Sequence, residues 1–203
     1  KDVPGVMDAD PKHLPQATLF EMLSYDDMAT MTRYGAKVIH PKALQPLTQH
    51  RIPMHVRPFH YPQALGTTIT HHAPPMDKPV YMLQEGQCLL DIRPAGDAPF
   101  GEAHIQEVLT ILRRHHIPVH LLQRHACSLS VCIPPPGDLL TTLLYDLNEQ
   151  YSTTYKAPVY LFTALHTAET VFPHWFKQTH VLVAQRSHGM YQAVLEGHCS
   201  GSK

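Results

Sequence analysis

The chain has 203 residues, 43% of them hydrophobic, and a formal net charge of −1. This composition suits a packed core, and the near-neutral charge excludes nucleic-acid binding through a broad basic face. No apolar run reaches membrane-spanning length and no charged-then-apolar leader opens the chain, so a cytoplasmic protein without a membrane span is expected.

Residues 2–12, Asp2-Val3-Pro4-Gly5-Val6-Met7-Asp8-Ala9-Asp10-Pro11-Lys12, read as a loop with turns at Pro4-Gly5 and Asp10-Pro11. Such a segment frees backbone amides for a ligand; Asp2 and Asp10 also suit turn formation, and Asp10 is read as a turn residue. Residues 19–33 carry a helix signal, with Ser24 as N-cap and Asp26 and Asp27 in the first turn. Tyr25, Met28, Ala29 and Met31 supply its apolar stripe. Gly35 then breaks the helix. Pro41 suits the first position of a second helix, 42–49. Between them stands Lys37, among small and apolar neighbours. A compact cation with three donors suits an anionic ligand, but a cation near a helix C-terminus is favoured anyway. Residues 52–56 alternate as a strand, 58–66 form a loop, and 67–70 return as a strand.

The Pro-rich stretch 71–78 reads as a linker. Residues 80–83 and 88–92 are two strand candidates, and 94–101 is a loop. Helix 104–115 places Ile105, Val108, Leu109, Ile111 and Leu112 on one side. Strands 119–122 and 129–133 follow, then a break at Pro134-Pro135-Pro136-Gly137. Asp138 is expected to cap a helix running to about residue 150. A strand starts at 159, residues 168–178 read as a helix disturbed by Pro173, and 181–184 with 190–195 form a hairpin around His188-Gly189. The tail from Glu196 is expected to fray.

Cys88, Cys127, Cys132 and Cys199 show no CxxC spacing and read as free thiols. The 17 His residues lack HExxH or clustered Cys/His spacing, so no metal site is expected from them.

Several segments occur in a characteristic order. Asp2 to Lys12 is followed by Leu23-Ser24-Tyr25 and Tyr34-Gly35-Ala36-Lys37-Val38-Ile39-His40-Pro41. Ile52-Pro53-Met54-His55-Val56 and Gly66-Thr67-Thr68-Ile69 come next. This series resembles the C-terminal part of the catalytic domain of aspartokinases. The resemblance implies an α/β (α+β) fold: the C-terminal piece of an amino-acid-kinase fold, followed by ferredoxin-like βαββαβ ACT domains. It implies four parts: a catalytic piece over 1–70, a linker at 71–78, a first ACT-like domain over 79–156, and a second, shortened one over 157–198. The resemblance also implies that a Lys-Phe-Gly-Gly-Thr-Ser phosphate motif belongs upstream, making this the C-terminal piece of a longer protein.

In aspartokinases the first loop touches ATP. Carried over by position, Asp2 matches an Asp near the ribose. Met7 stands for a Tyr beside the nucleotide, without its hydroxyl. Lys12 stands for an Arg that reaches the phosphates, keeping the charge but losing the bidentate fork. Lys37 matches the Lys of the Gly-Ala-Lys turn. The implied reaction moves the ATP γ-phosphoryl group, with Mg²⁺, to the side-chain carboxylate of L-aspartate, giving 4-phospho-L-aspartate. The alternative is a non-catalytic ACT regulatory or dimerisation subunit that binds a small amino acid. A homodimer through the ACT domains is implied in either case. A lysine or threonine effector would meet residues 98–104 and 120–126, with Asp97, Gly101, His104, His120 and Gln123 as the expected contacts. His120 stands where effector-binding relatives carry Asp or Asn. The effector ammonium would then need Asp97 or Glu102, so lysine sensitivity is expected to be altered or absent.

Overall fold

The computed structural model describes residues 3–76, 78–96, 99–167, 173, 176 and 179–197. The first 70 residues contribute a three-stranded sheet: β1 (Met22–Ser24), β2 (Met54–Val56) and β3 (Thr67–Thr70), in the order β1-β3-β2. β1 runs parallel to β3, and β2 antiparallel to it. Helices α1 (Tyr25–Arg33) and α2 (Pro41–Gln49) pack beside it. Ser24 is the N-cap of α1, its Oγ accepting from the Asp27 amide at 3.0 Å. The expected helix from residue 19 is corrected here. Met22–Ser24 alternates exposed, buried, half-buried, and pairs with Thr68–Thr70, so the helix begins only after its cap. Tyr25, Met28 and Met31 enter one core with Leu23, Val56 and Ile69. Pro41 leads α2 as expected, behind His40, whose Nδ1 accepts from the Lys42 amide.

Beyond residue 79 the chain forms a six-stranded sheet in the order β5-β6-β4-β7-β9-β8. Its strands are β4 (Val80–Pro94), β5 (Leu121–Arg124), β6 (Leu129–Ile133), β7 (Tyr151–Leu165), β8 (His180–Ser187) and β9 (Met190–Glu196). Helix α3 (Glu102–Arg114) links β4 to β5, and α4 (Leu139–Asn148) links β6 to β7. The two strand candidates 80–83 and 88–92 are one 15-residue strand, irregular between Gln84 and Leu89, where Gly86 takes a positive φ of 70°. β7 likewise starts at Tyr151, eight residues before the expected point, because its first half is a polar edge with little apolar signal. β5 starts at Leu121 rather than 119. Asp138 holds the N-cap position of α4 but makes no capping bond. The β8–β9 turn is His188-Gly189, both with positive φ. The expected helix at 168–178 and the expected frayed end of the tail lie outside the described residues.

The topology contains the βαββαβ order once, and its strand order recurs in the remaining strands. β4, α3, β5, β6, α4 and β7 give the strand order β5-β6-β4-β7, the ferredoxin-like arrangement. The remaining strands repeat that order as β8-β9-β7-β4. Both halves use the same two strands. The C-terminal half of β4 pairs with β6, while Val80–Leu83 pairs with Leu165–Phe162 of β7. The division at 156/157 therefore falls inside β7.

One face of the first half buries Cys88, Leu90, Ile92, Val131 and Ile133 against Val108, Leu112, Leu143 and Leu147 of the helices. The alternate residues Leu89 and Cys132 point to the opposite face and join Leu121, Val159, Leu161 and Val194 in a separate cluster. Burial raises the Cys88 thiol to about 11 and the Cys132 thiol to about 12, which keeps both protonated and inert near neutrality.

Candidate functional site

Asp2 lies outside the described residues. Met7 is half-buried and makes an antiparallel bridge to Leu19. Lys12 is exposed; its backbone amide donates to Asp10 Oδ1 at 2.9 Å, and the Asp10 carbonyl accepts from His13 and Leu14. Asp10 therefore serves the turn, which points the Lys12 side chain away from the core. Lys37 is also exposed, between half-buried Ala36, Val38 and Ile39, which pack on the first core. Among the described residues neither Lys12 nor Lys37 has an ion pair or a side-chain hydrogen bond. Two free ammonium groups on short, anchored loops fit the phosphates of a nucleotide. The two described carboxylates of the first loop, Asp8 and Asp10, are both used internally.

Four residues outside the expected set, Gly5, Asp8, Thr67 and Lys78, shape these loops. Thr67 is fully buried; its Oγ1 accepts from the Val6 amide at 2.8 Å and donates to the Phe20 carbonyl at 2.6 Å. Gly5 lies against it, and a Cβ there would meet Thr67 Oγ1 at 2.6 Å. The loop is held further by Asp8, whose Oδ1 accepts from the Thr18 amide at 2.7 Å and whose Oδ2 accepts from Thr18 Oγ1 at 2.5 Å. Lys78 reaches in from the linker. Its Nζ is 3.4 Å from Asp8 Oδ2, donates to Thr18 Oγ1 and to the Leu19 carbonyl, and stands 4.2 Å from the centroid of the Phe20 ring. The spacing gave one usable signal, Gly66-Thr67; nothing local marked Asp8 or Lys78, whose partners lie ten or more residues away.

Most of the expected effector contacts that the structure describes are bonded within the chain. The Gly101 amide donates to His104 Nδ1 at 3.0 Å, and the His104 ring packs against Phe100 and Tyr151. Tyr151 in turn donates to Glu107 at 2.5 Å; burial and that carboxylate both raise its pKa. His120 Nδ1 is 2.8 Å from Oε1 of buried Gln87, at the irregular part of β4, and burial lowers its pKa. Gln123 sits on β5 beside Ser130 of β6; its Oε1 is buried with no hydrogen-bond partner among the described residues. Asp97 lies outside the described residues. The structure thus puts Gly101 and His104 together at the start of α3, and His120 against Gln87. Among the described residues, no group of three or more His, Cys, Asp or Glu is placed to hold a metal.

A profile of the Amino acid kinase family matches residues 1–58. Lysine-sensitive aspartokinase 3 of Escherichia coli is 30% identical over 142 residues, 69% of this chain and 31% of that protein. Aspartokinase 1, chloroplastic, of Arabidopsis thaliana is 30% identical over 139 residues, 66% of this chain and 24% of that protein. The chain belongs to the aspartokinase family. It spans about a third or less of the length of these relatives, and both alignments continue past the catalytic piece. The fold agrees. E. coli aspartokinase III, in a crystal structure with aspartate and ADP, superposes with a TM-score of 0.78 at 23% identity, over 96% of this chain and 47% of that one. The aspartate kinase of Clostridium acetobutylicum superposes with a TM-score of 0.79 at 16% identity, over 97% of this chain and 49% of that one. This chain therefore corresponds to the C-terminal portion of an aspartokinase: the end of the catalytic fold and an ACT-like regulatory sheet. None of its described helices is long and apolar enough to cross a membrane.

Proposed function

We propose that the complete protein containing this chain transfers the ATP γ-phosphoryl group to the side-chain carboxylate of L-aspartate, forming 4-phospho-L-aspartate in the cytoplasm. The observation that carries this reading is the Gly35–Lys37 turn. It holds an exposed ammonium, unpaired among the described residues, between two capped helices whose other residues are anchored in the core. In this reading Asp2, Met7, Lys12 and Lys37 line the nucleotide side of the site. ATP with Mg²⁺ would supply the phosphoryl group and neutralise part of its charge. Lys12 and Lys37 stabilise the charge that develops on the transferred group, while the backbone of 3–12 positions the nucleotide. The residues that bind aspartate come from outside this chain. The test is Lys37→Ala in the complete protein: turnover should fall at least about a hundredfold, the scale of losing one charge-stabilising donor. Unchanged kinetics would overturn the assignment.

The second reading, a regulatory and dimerising chain, is supported by the shared six-stranded sheet, whose edge strands β5 and β8 have no outer partner strand among the described residues. It adds a homodimer through the ACT-like sheet to the first reading. The effector, if one binds, is a small amino acid. The internal bonds of Gly101 and His120 support a site poorly matched to the lysine ammonium.

A further inference from the structure

The two loops that carry Met7, Lys12 and Lys37 are far apart in sequence, yet both rest on one short piece of β4. The Tyr81 amide donates to the Asp8 carbonyl at 2.7 Å. Three residues further along the strand, Gln84 lies on Gly35: a Cβ at Gly35 would meet Gln84 Cγ at 2.6 Å and Cδ at 2.7 Å. Glu85 adds His13, with Oε1 3.4 Å from Nε2. Val80 and Met82, on the alternate positions, are buried in the same core as Val6, Met28 and Met31. Lys78, two residues before the strand, grips the other side of the first loop through Asp8, Thr18 and Leu19. Past Gly86 the same strand becomes a central strand of the ACT-like sheet, paired with β6 and β7.

We infer that Lys78 and Gln84 are positioning residues for nucleotide binding: they touch no nucleotide themselves but hold the loops carrying Lys12 and Lys37 against β4. This rests on the kinase reading above. Three features argue against a merely structural role. Gly35 has φ of 108° and no side chain, so Gln84 meets the turn backbone itself, two residues from Lys37. Among the described residues the Lys78 ammonium is satisfied by one loop, which it approaches from the linker rather than from the loop's own sheet. Both residues also stand on the piece of chain that leads directly into the regulatory sheet, so a shift of that sheet must move them. Lys78 and Gln84 are therefore the points at which the sheet acts on the nucleotide side.

The experiment compares wild-type, Lys78→Met, Lys78→Arg and Gln84→Ala forms of the complete protein. Each receives steady-state kinetics with both substrates and amide exchange of residues 3–12 and 35–40 without nucleotide. Expected are a rise in KM for ATP of about fivefold for Lys78→Met and for Gln84→Ala, at unchanged KM for aspartate. Faster exchange should be confined to the loop each residue holds, and Lys78→Arg should restore most of the ATP affinity. The inference fails if the wild type binds ATP and both variants keep its KM for ATP. It also fails if the two KM values rise together, or if exchange quickens throughout the chain. A wild-type protein with no nucleotide binding would instead overturn the kinase reading, while loop exchange in the variants would still report whether Lys78 and Gln84 hold the loops.

Discussion

Replacing Thr67 with Val probes the tie on which the first loop depends. The hydroxyl is fully buried and makes two short bonds, from the Val6 amide at 2.8 Å and to the Phe20 carbonyl at 2.6 Å. Valine keeps the shape but strands one buried donor and one buried acceptor, each costing about 1–3 kcal/mol. Phe20 still donates to the Val6 carbonyl at 2.9 Å, so the segments stay in contact and part of the cost is relieved. A net loss of about 3 kcal/mol follows, in the local stability of residues 3–9. Amide exchange at Val6 then quickens more than a hundredfold, since every 1.4 kcal/mol is about tenfold. Thr67→Ser is the control: it keeps both bonds and gives up one methyl, about 1 kcal/mol. The reasoning is refuted if Val6 exchange in Thr67→Val stays within about threefold of the wild type, because a true orphan cannot cost so little. It is refuted equally if Ser and Val behave alike, since the hydroxyl would then be irrelevant.

Two further outcomes are expected. Burial holds the folded-state pKa of His120 below the ordinary value near 6.5, so its contribution to stability is present above that value and is lost as pH falls through it. Thermal unfolding at pH 7.5 and 5.5 should show a smaller pH effect in His120→Gln than in the wild type; an equal effect would remove His120 as a cause. Lysine should leave the melting temperature of the protein unchanged, because the Gly101 amide and His120 are already bonded internally. A ligand at a hundred times its Kd adds about 2.7 kcal/mol, so a clear upward shift in millimolar lysine would contradict this.

Local chemistry made much of the fold legible. Ser24 caps α1, Pro41 leads α2, and His188-Gly189 turns β8 into β9, because each signal acts within a few residues. The misreadings share a cause: pairing partners far away in sequence. Met22–Ser24 looks helical until Thr68–Thr70 is brought alongside. Residues 80–94 look like two strands because Gly86 interrupts the apolar pattern, yet β7 pairs with both halves. The first eight residues of β7 carry Ser152, Thr153, Thr154 and Lys156 and show no apolar run; β4 supplies their ladder. At the site, Lys12 and Lys37 were visible as residue types within a motif. Lys78 and Gln84 were not, since a linker cation and a strand glutamine have no signature until Asp8 and Gly35 are placed beside them.

Sharing β4 and β7 has a consequence for how the two ACT-like halves behave. In the order β5-β6-β4-β7 the outer strand is the first part of β7, and in β8-β9-β7-β4 it is the first part of β4. Each half thus completes its sheet with a strand that continues as a central strand of the other. Removing either half would expose a long, unpaired edge on both β4 and β7. Leu89, Leu121 and Cys132 from one half and Val159, Leu161 and Val194 from the other bury each other in one cluster, so the halves also share a core. From the first half, β4 runs through the irregular stretch at Gly86 to Gln84 and Tyr81, where the loops bearing Lys37 and Lys12 rest. The His120–Gln87 bond sits directly on that route, at the junction of the two parts of β4.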